Sequence, residues 1–243
     1  MEMKRLLLLT SFIITLFLFM TIIFIGSLLN NKREVVLDNQ FSKMSKDFDN
    51  MQLLYMLSES YGNDMVCLAF ESKLRELDSY IWKLGDKIDR YRIATEEFTK
   101  DEYYVEQKKI FNEGELYYFL SLKGMVTRCN LTKSNILFFY KNSKKCNKCD
   151  DESFVLRDIR DLDSGDDREI AIFSFDSDLK LPSLQLMETY YNIEEYPCIV
   201  VDEVKHCGMK SKDEVMKYVC NGNHSDKLKV CREYYGIESN NTI

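Results

Sequence analysis

The sequence predicts an α/β domain of element order β-α-β-α-β-β-α, preceded by a single transmembrane helix and an α-helical hairpin with a coiled-coil-like seam. Three observations carry that prediction. Residues 6–29, LLLLTSFIITLFLFMTIIFIGSLL, hold 24 positions without one charge. Phe70, Leu74, Leu77, Ile81, Leu84, Ile88 and Tyr91 follow a 4-3-4-3-4-3 rhythm, the spacing of an apolar helical seam. From residue 133 onwards, short apolar runs alternate with segments of helical periodicity. The boundaries drawn from these patterns are 1–31 for the anchor, 32–130 for the helical stalk, 131–222 for the α/β domain and 223–243 for a C-terminal tail.

Composition agrees with this division. Of 243 residues, 45% are hydrophobic, enough for a core, and only two are proline and nine glycine, which favours long uninterrupted helices. The net charge of −7, with no basic run interleaved with aromatics, excludes nucleic acid from the expected partners.

A helix over 6–29 rises ~1.5 Å per residue, which is enough to cross a hydrocarbon layer of ~30 Å, so the lipid bilayer is an expected partner of this segment. A cleaved secretory signal would have a shorter apolar stretch, of ~7–15 residues, and a small-residue cleavage site. Orientation is read from two opposing signals. Lys4 and Arg5 precede the helix while Lys32, Arg33, Lys43 and Lys46 follow it, and counting alone favours a cytoplasmic C-terminus. Eight cysteines belong more naturally to an oxidising compartment, and on that ground the C-terminal domain is expected outside the cytoplasm. Glycosylation sequons at Asn130, Asn223 and Asn240 decide nothing, because such matches arise by chance in a chain of this composition.

Beyond the anchor, Phe41, Met44, Phe48, Met51 and Tyr55 share one helical face, and Gly62 and Asn63 interrupt the pattern. After the seam of the second helix, a third is expected to begin near Thr99, an N-cap with Glu102 three residues on, and to carry Phe111, Tyr118, Leu122 and Met125. The last two helices form an antiparallel hairpin turning near 94–98, and the seam also offers a surface on which two copies could pair. Antiparallel packing brings Cys67 and Cys129 close at the open end. A disulfide there would close a loop of about 60 residues, worth on the order of 4 kcal/mol in the loop-entropy account; two buried free cysteines are the alternative.

The α/β part opens on NILFFY (135–140), an apolar and aromatic run suited to a central strand. Cys146 and Cys149 follow, separated by Asn147 and Lys148. DDESFVLRDIRDL (150–162) then reads as a helix whose acidic first turn suits the positive end of its dipole. REIAIFSFD (168–176) alternates as a strand, LPSLQLMETYYNI (181–193) is a helix with Pro182 near its start, CIVVD (198–202) is another strand, and VKHCGM leads into the helix KDEVMKYVC.

This order, with a CxxC pair at the first strand-to-helix junction and Pro197 directly before the third strand, resembles the thioredoxin-like superfamily over about residues 133–220. The short interval from Pro197 to Gly208 is closer to glutaredoxins than to thioredoxins. The resemblance implies a cis Pro197 with the Tyr196 backbone facing the CxxC as a substrate-binding element, catalytic Cys146 and Cys149, and protein thiols or disulfides as substrates, with a further redox partner and no cofactor. Independently, Cys146 near a helix N-terminus, with Lys144, Lys145 and Lys148 around it, is placed to hold its thiolate, opposed by Asp150, Asp151 and Glu152. Three features depart from the family. Lys145 replaces the usual Trp, the intervening dipeptide is Asn-Lys, and the strand before the pair lacks the buried acid.

The remaining cysteines invite structural pairing. If Asp202 and Glu203 form a two-residue hairpin turn, Cys198 and Cys207 fall opposite each other at a non-hydrogen-bonded position. Cys220 and Cys231 would tie the last helix to the tail. Zinc at Cys146 and Cys149 would need a second ligand pair. His206 and Cys207, the only compact candidates, point to opposite faces of a strand, so no metal is expected. Two functions remain open from sequence: a membrane-anchored thiol-disulfide oxidoreductase, and a noncatalytic module of the same kind tethered as a binding or assembly platform.

Overall fold

The computed structural model describes residues 2–61, 63–94, 101–142, 144–163, 168–221 and 228–236. It is mostly helical, with a four-stranded mixed sheet and one apolar N-terminal helix. The chain divides into two compact units, Met1–Lys43 and Met44–Ile243.

In the first unit, helix α1 (Glu2–Tyr61) contains Leu9–Leu28, 20 residues of mean hydropathy 2.4 with no part buried. That segment is long and apolar enough to span a membrane.

The second unit begins with the end of α1, where Met44, Phe48 and Met51 are buried as their shared face requires, while Tyr55 is exposed. Gly114 of α3 (Glu102–Cys129) allows this close packing, since a Cβ there would lie 2.6 Å from the Met44 methyl. In α2 (Asn63–Ala94) the seam residues Phe70, Leu74, Leu77, Ile81, Leu84 and Ile88 are all buried within the monomer. The Tyr91 side chain, Gly62, the turn near 94–98, Thr99, Asn223 and Asn240 lie outside the described residues. The N-cap of α3 is Asp101, two residues after the expected Thr99: its carboxylate accepts from the Tyr104 amide at 3.1 Å. An ionised cap satisfies an orphan amide and the helix dipole together, which a threonine does not.

The sheet consists of β1 (Ser134–Tyr140), β2 (Ile170–Asp176), β3 (Cys198–Val201) and β4 (Val204–Cys207), in the order β2-β1-β3-β4. β1 runs parallel to β2 and antiparallel to β3, and β3 is antiparallel to β4. Between and after the strands come α4 (Cys149–Leu162), α5 (Pro182–Tyr191), α6 (Lys212–Cys220) and α7 (Lys229–Tyr234). β1 is apolar from Ile136 to Phe139 because both faces of that stretch are covered. Ile136 and Phe138 join Leu156, Ile159, Val215 and Val219 in one core. On the other face Phe139 packs against Phe175, and Phe173 meets Tyr118 and Phe119 of α3 at ring distances of 5.3 and 5.5 Å. The C-terminal segment expected as a tail contributes α7, whose Val230 and Cys231 belong to the first of these cores.

The helical region does more than stand beside the sheet. β2 is an edge strand, and α3 supplies side-chain acceptors to two of its amides: Asn112 Oδ1 accepts from the Asp176 amide at 2.7 Å and Glu115 Oε1 from the Ser174 amide at 3.2 Å. Asn112 is itself held by the Lys108 carbonyl at 3.1 Å. The compact unit therefore runs through residues 130 and 131 without a division. Replacing Asn112 with alanine leaves the buried Asp176 amide without an acceptor, at a cost of about 1–3 kcal/mol in denaturant unfolding. Hydrogen exchange at that amide should accelerate in parallel, and unchanged protection would refute the role given to Asn112.

Candidate functional site

The cysteines form four disulfides: Cys67–Cys129, Cys146–Cys149, Cys198–Cys207 and Cys220–Cys231. The first joins α2 to α3. The third crosses β3 and β4 at opposed positions, below a hairpin turn in which Asp202 and Glu203 both have positive φ, 44° and 74°. Such a two-residue turn matches the right-handed twist of its strands. Asp202 is fastened by the Ser134 hydroxyl and the Asn135 amide, each at 2.8 Å. The fourth ties α6 to α7.

Cys146–Cys149 sits on the segment joining β1 to α4. Cys149 is the first residue of α4 and Cys146 lies three residues before it, on the connecting segment that leads into the helix. The segment is folded by Asn142, whose carbonyl accepts from the Lys145 and Cys146 amides at 2.8 and 3.0 Å and whose side chain accepts from the Lys144 amide at 2.9 Å. Both cysteines are buried, at 5% and 2% exposure.

The lysine field around Cys146 is weaker than sequence implies. Lys145 donates to Asp178 at 2.7 Å, so its charge is compensated. Burial pushes the Asp178 carboxyl up, but hydrogen bonds from Lys145 and from the Asn142 amide, together with Lys141, hold it below the usual range. Asp178 lies just beyond β2, which runs parallel to β1, and this pairing carries it to the cysteine segment. Replacing Asp178 with asparagine removes a negative charge and frees Lys145. We expect the reduced Cys146 thiol to titrate lower and to alkylate about threefold faster at neutral pH, measured by iodoacetamide labelling across pH. A slower reaction would contradict this electrostatic account.

The Tyr196–Pro197 peptide is cis and belongs to the same neighbourhood. Lys141 lies 4.1 Å from the centre of the Tyr196 ring, and the Tyr196 hydroxyl meets Glu188 at 2.9 Å. The Pro197 carbonyl accepts from the Gly208 amide at 2.8 Å, and two residues on the Lys210 amide donates to Glu152 Oε2 at 2.6 Å. Glu152 is fully buried in the first turn of α4. Burial raises its pKa, partly offset by the Lys210 amide and charge. A chain of contacts thus links the cysteine loop, the proline and the turn after β4. Asp178 and the buried anchoring role of Glu152 carry no sequence signal of their own, whereas Asn142 acts on amides two to four positions away, as a turn-forming asparagine does. The roles of Asp178 and Glu152 depend on contacts across more than 30 positions.

His206 stacks on Tyr218 with centroids 3.6 Å apart, and burial and Lys210 lower its pKa. Among the described residues no three His, Cys, Asp or Glu side chains cluster as metal ligands. No family model, curated protein or solved structure matches the chain.

Proposed function

We propose that residues 133–220 form a thioredoxin-like module and that the protein is a membrane-anchored thiol-disulfide oxidoreductase working outside the cytoplasm. The observation that carries this reading is the Cys146–Cys149 disulfide at the strand-to-helix junction, with Tyr196 and Pro197 fastened beside it through Lys141 and the turn after β4. The element order and the sheet order β2-β1-β3-β4 support the fold assignment. The apolar helix over Leu9–Leu28 supports the anchor, and four disulfides support an oxidising compartment.

In the reducing direction, the Cys146 thiolate attacks a substrate disulfide, forming a Cys146–substrate bond and releasing one substrate thiolate. Cys149 then attacks Cys146 Sγ, re-forming the intramolecular disulfide and releasing the second thiolate. Two electrons pass from the dithiol to the substrate, and the reverse sequence donates the disulfide. Cys149→Ser stops the reaction after the first step, so membranes carrying this variant should accumulate reductant-sensitive mixed disulfides through Cys146. Their absence, together with failure to reduce insulin, would favour the second reading, a noncatalytic tethered module. The burial of both sulfurs and the compensation of Lys145 are the observations on that side.

A further inference from the structure

Glu152 Oε1 is buried without a hydrogen-bond partner, although Oε2 of the same carboxyl is held by the Lys210 amide. An orphan carboxyl oxygen in the interior is costly and calls for a partner. Glu152 stands three positions after Cys149 in α4, and residues at that spacing are neighbours on one helical face. Both side chains point inward, Cys149 at 2% exposure and Glu152 at 0%. In the disulfide, Cys149 Sγ has no proton to donate. Reduction of the pair creates an S–H on this buried face.

We infer that Glu152 is the proton acceptor for Cys149, taking the thiol proton on Oε1 as Cys149 attacks the mixed disulfide held on Cys146. This assignment rests on the exchange reading above. The step balances within the site: the Cys149 S–H bond breaks and its proton goes to Glu152, the Cys149–Cys146 S–S bond forms, and the Cys146–substrate S–S bond breaks with the electron pair leaving on the substrate sulfur. In the oxidising direction Glu152 returns the proton to Cys149. Burial keeps the carboxyl closer in basicity to a thiol than an exposed one is, and the groups facing it tune that balance. Lys210, on the turn after β4, favours the ionised form, and Glu214 of α6 opposes it. On its own helix, Asp150 and Asp151 lie in the same first turn. The single bond from the Lys210 amide fixes the carboxyl while leaving Oε1 free for the proton.

The test uses the full chain in detergent, with the Cys146–Cys149 pair reduced and the other disulfides intact, mixed with dithiobis(nitrobenzoate). Coloured thiolate is released in two phases: attack by Cys146, then resolution by Cys149. Glu152→Gln keeps an acceptor for the Lys210 amide but cannot take a proton. We expect an unchanged first phase and a second phase slowed by about thirtyfold at neutral pH, within the usual range for a lost general base. The two proteins should converge once the pH passes the Cys149 thiol's own pKa, which loss of a merely structural contact would not produce. Glu152→Asp, which keeps the carboxyl, should restore part of the rate. A normal first phase with a second phase equal to wild type at every pH overturns the assignment of Glu152 alone. A first phase no faster than that of an unstructured cysteine overturns the exchange reading instead.

Discussion

Replacing Cys146 with serine should lower the rate of thiol-disulfide exchange by about a thousandfold or more, because no mixed disulfide forms without the attacking sulfur. Cys149→Ser should behave differently. It leaves the first attack in place and blocks only resolution, so single-turnover reaction with a model disulfide persists while multiple turnover stops. The asymmetry is the informative part, since a purely structural disulfide loses both partners equivalently. Cys198 and Cys207 supply the control. They bridge β3 to β4 by a cross-strand disulfide, so replacing both with serine should lower stability while leaving exchange per folded molecule near wild type. Equal residual activity in the Cys146 and Cys149 variants would contradict the assigned order of attack.

The second large effect concerns stability. Lys108 of α3 and Asp176 at the end of β2 form a buried ion pair, and the lysine also lies 5.3 Å from the Tyr140 ring centre. Burial acts to lower the Lys108 pKa, but the neighbouring Tyr140, Asp176 and Tyr104 outweigh it, so the amine stays charged. Asp176→Ala strands that charge in the interior, between the helices and the strand that leads to the cysteine site. Breaking one side of such a pair costs about 3–5 kcal/mol, read from the denaturation midpoint at constant slope. Lys108→Met combined with Asp176→Asn should cost clearly less than the sum of the two single changes, because neither charge is then left alone. Full additivity would show that the two side chains act independently.

How far the sequence exposes this architecture depends on the range of the interaction involved. The membrane-length helix, the seam of α2, the strand NILFFY and the position of CxxC before a helix all follow from local periodicity and are visible in the residues themselves. The Asp202-Glu203 turn is visible too, although neither residue is glycine, because the strands on either side fix its length. Long-range bonding is another matter. Asn112 and Glu115 look like ordinary polar positions on a helix until β2 is set beside them. Lys145 looks like a free charge until the parallel pairing of β1 and β2 brings Asp178 to it. Glu152 reads as one of three acids at a helix start, and only its complete burial separates it from the exposed Asp151. The helix start is local and legible as well: α4 begins at Cys149, one residue before the position read from the sequence, and Cys146 stands on the segment that precedes it.

The most direct test of the central claim is the redox equilibrium of the Cys146–Cys149 pair in the full chain. The protein is equilibrated in glutathione buffers of graded ratio, and each cysteine is identified by mass after alkylation. Exchange catalysts equilibrate between about −270 and −120 mV. We predict that this pair falls within that span while the other three disulfides stay oxidised throughout it. A Cys146–Cys149 pair that is reduced only below about −300 mV, together with the others, would contradict the account and leave the disulfide a structural brace.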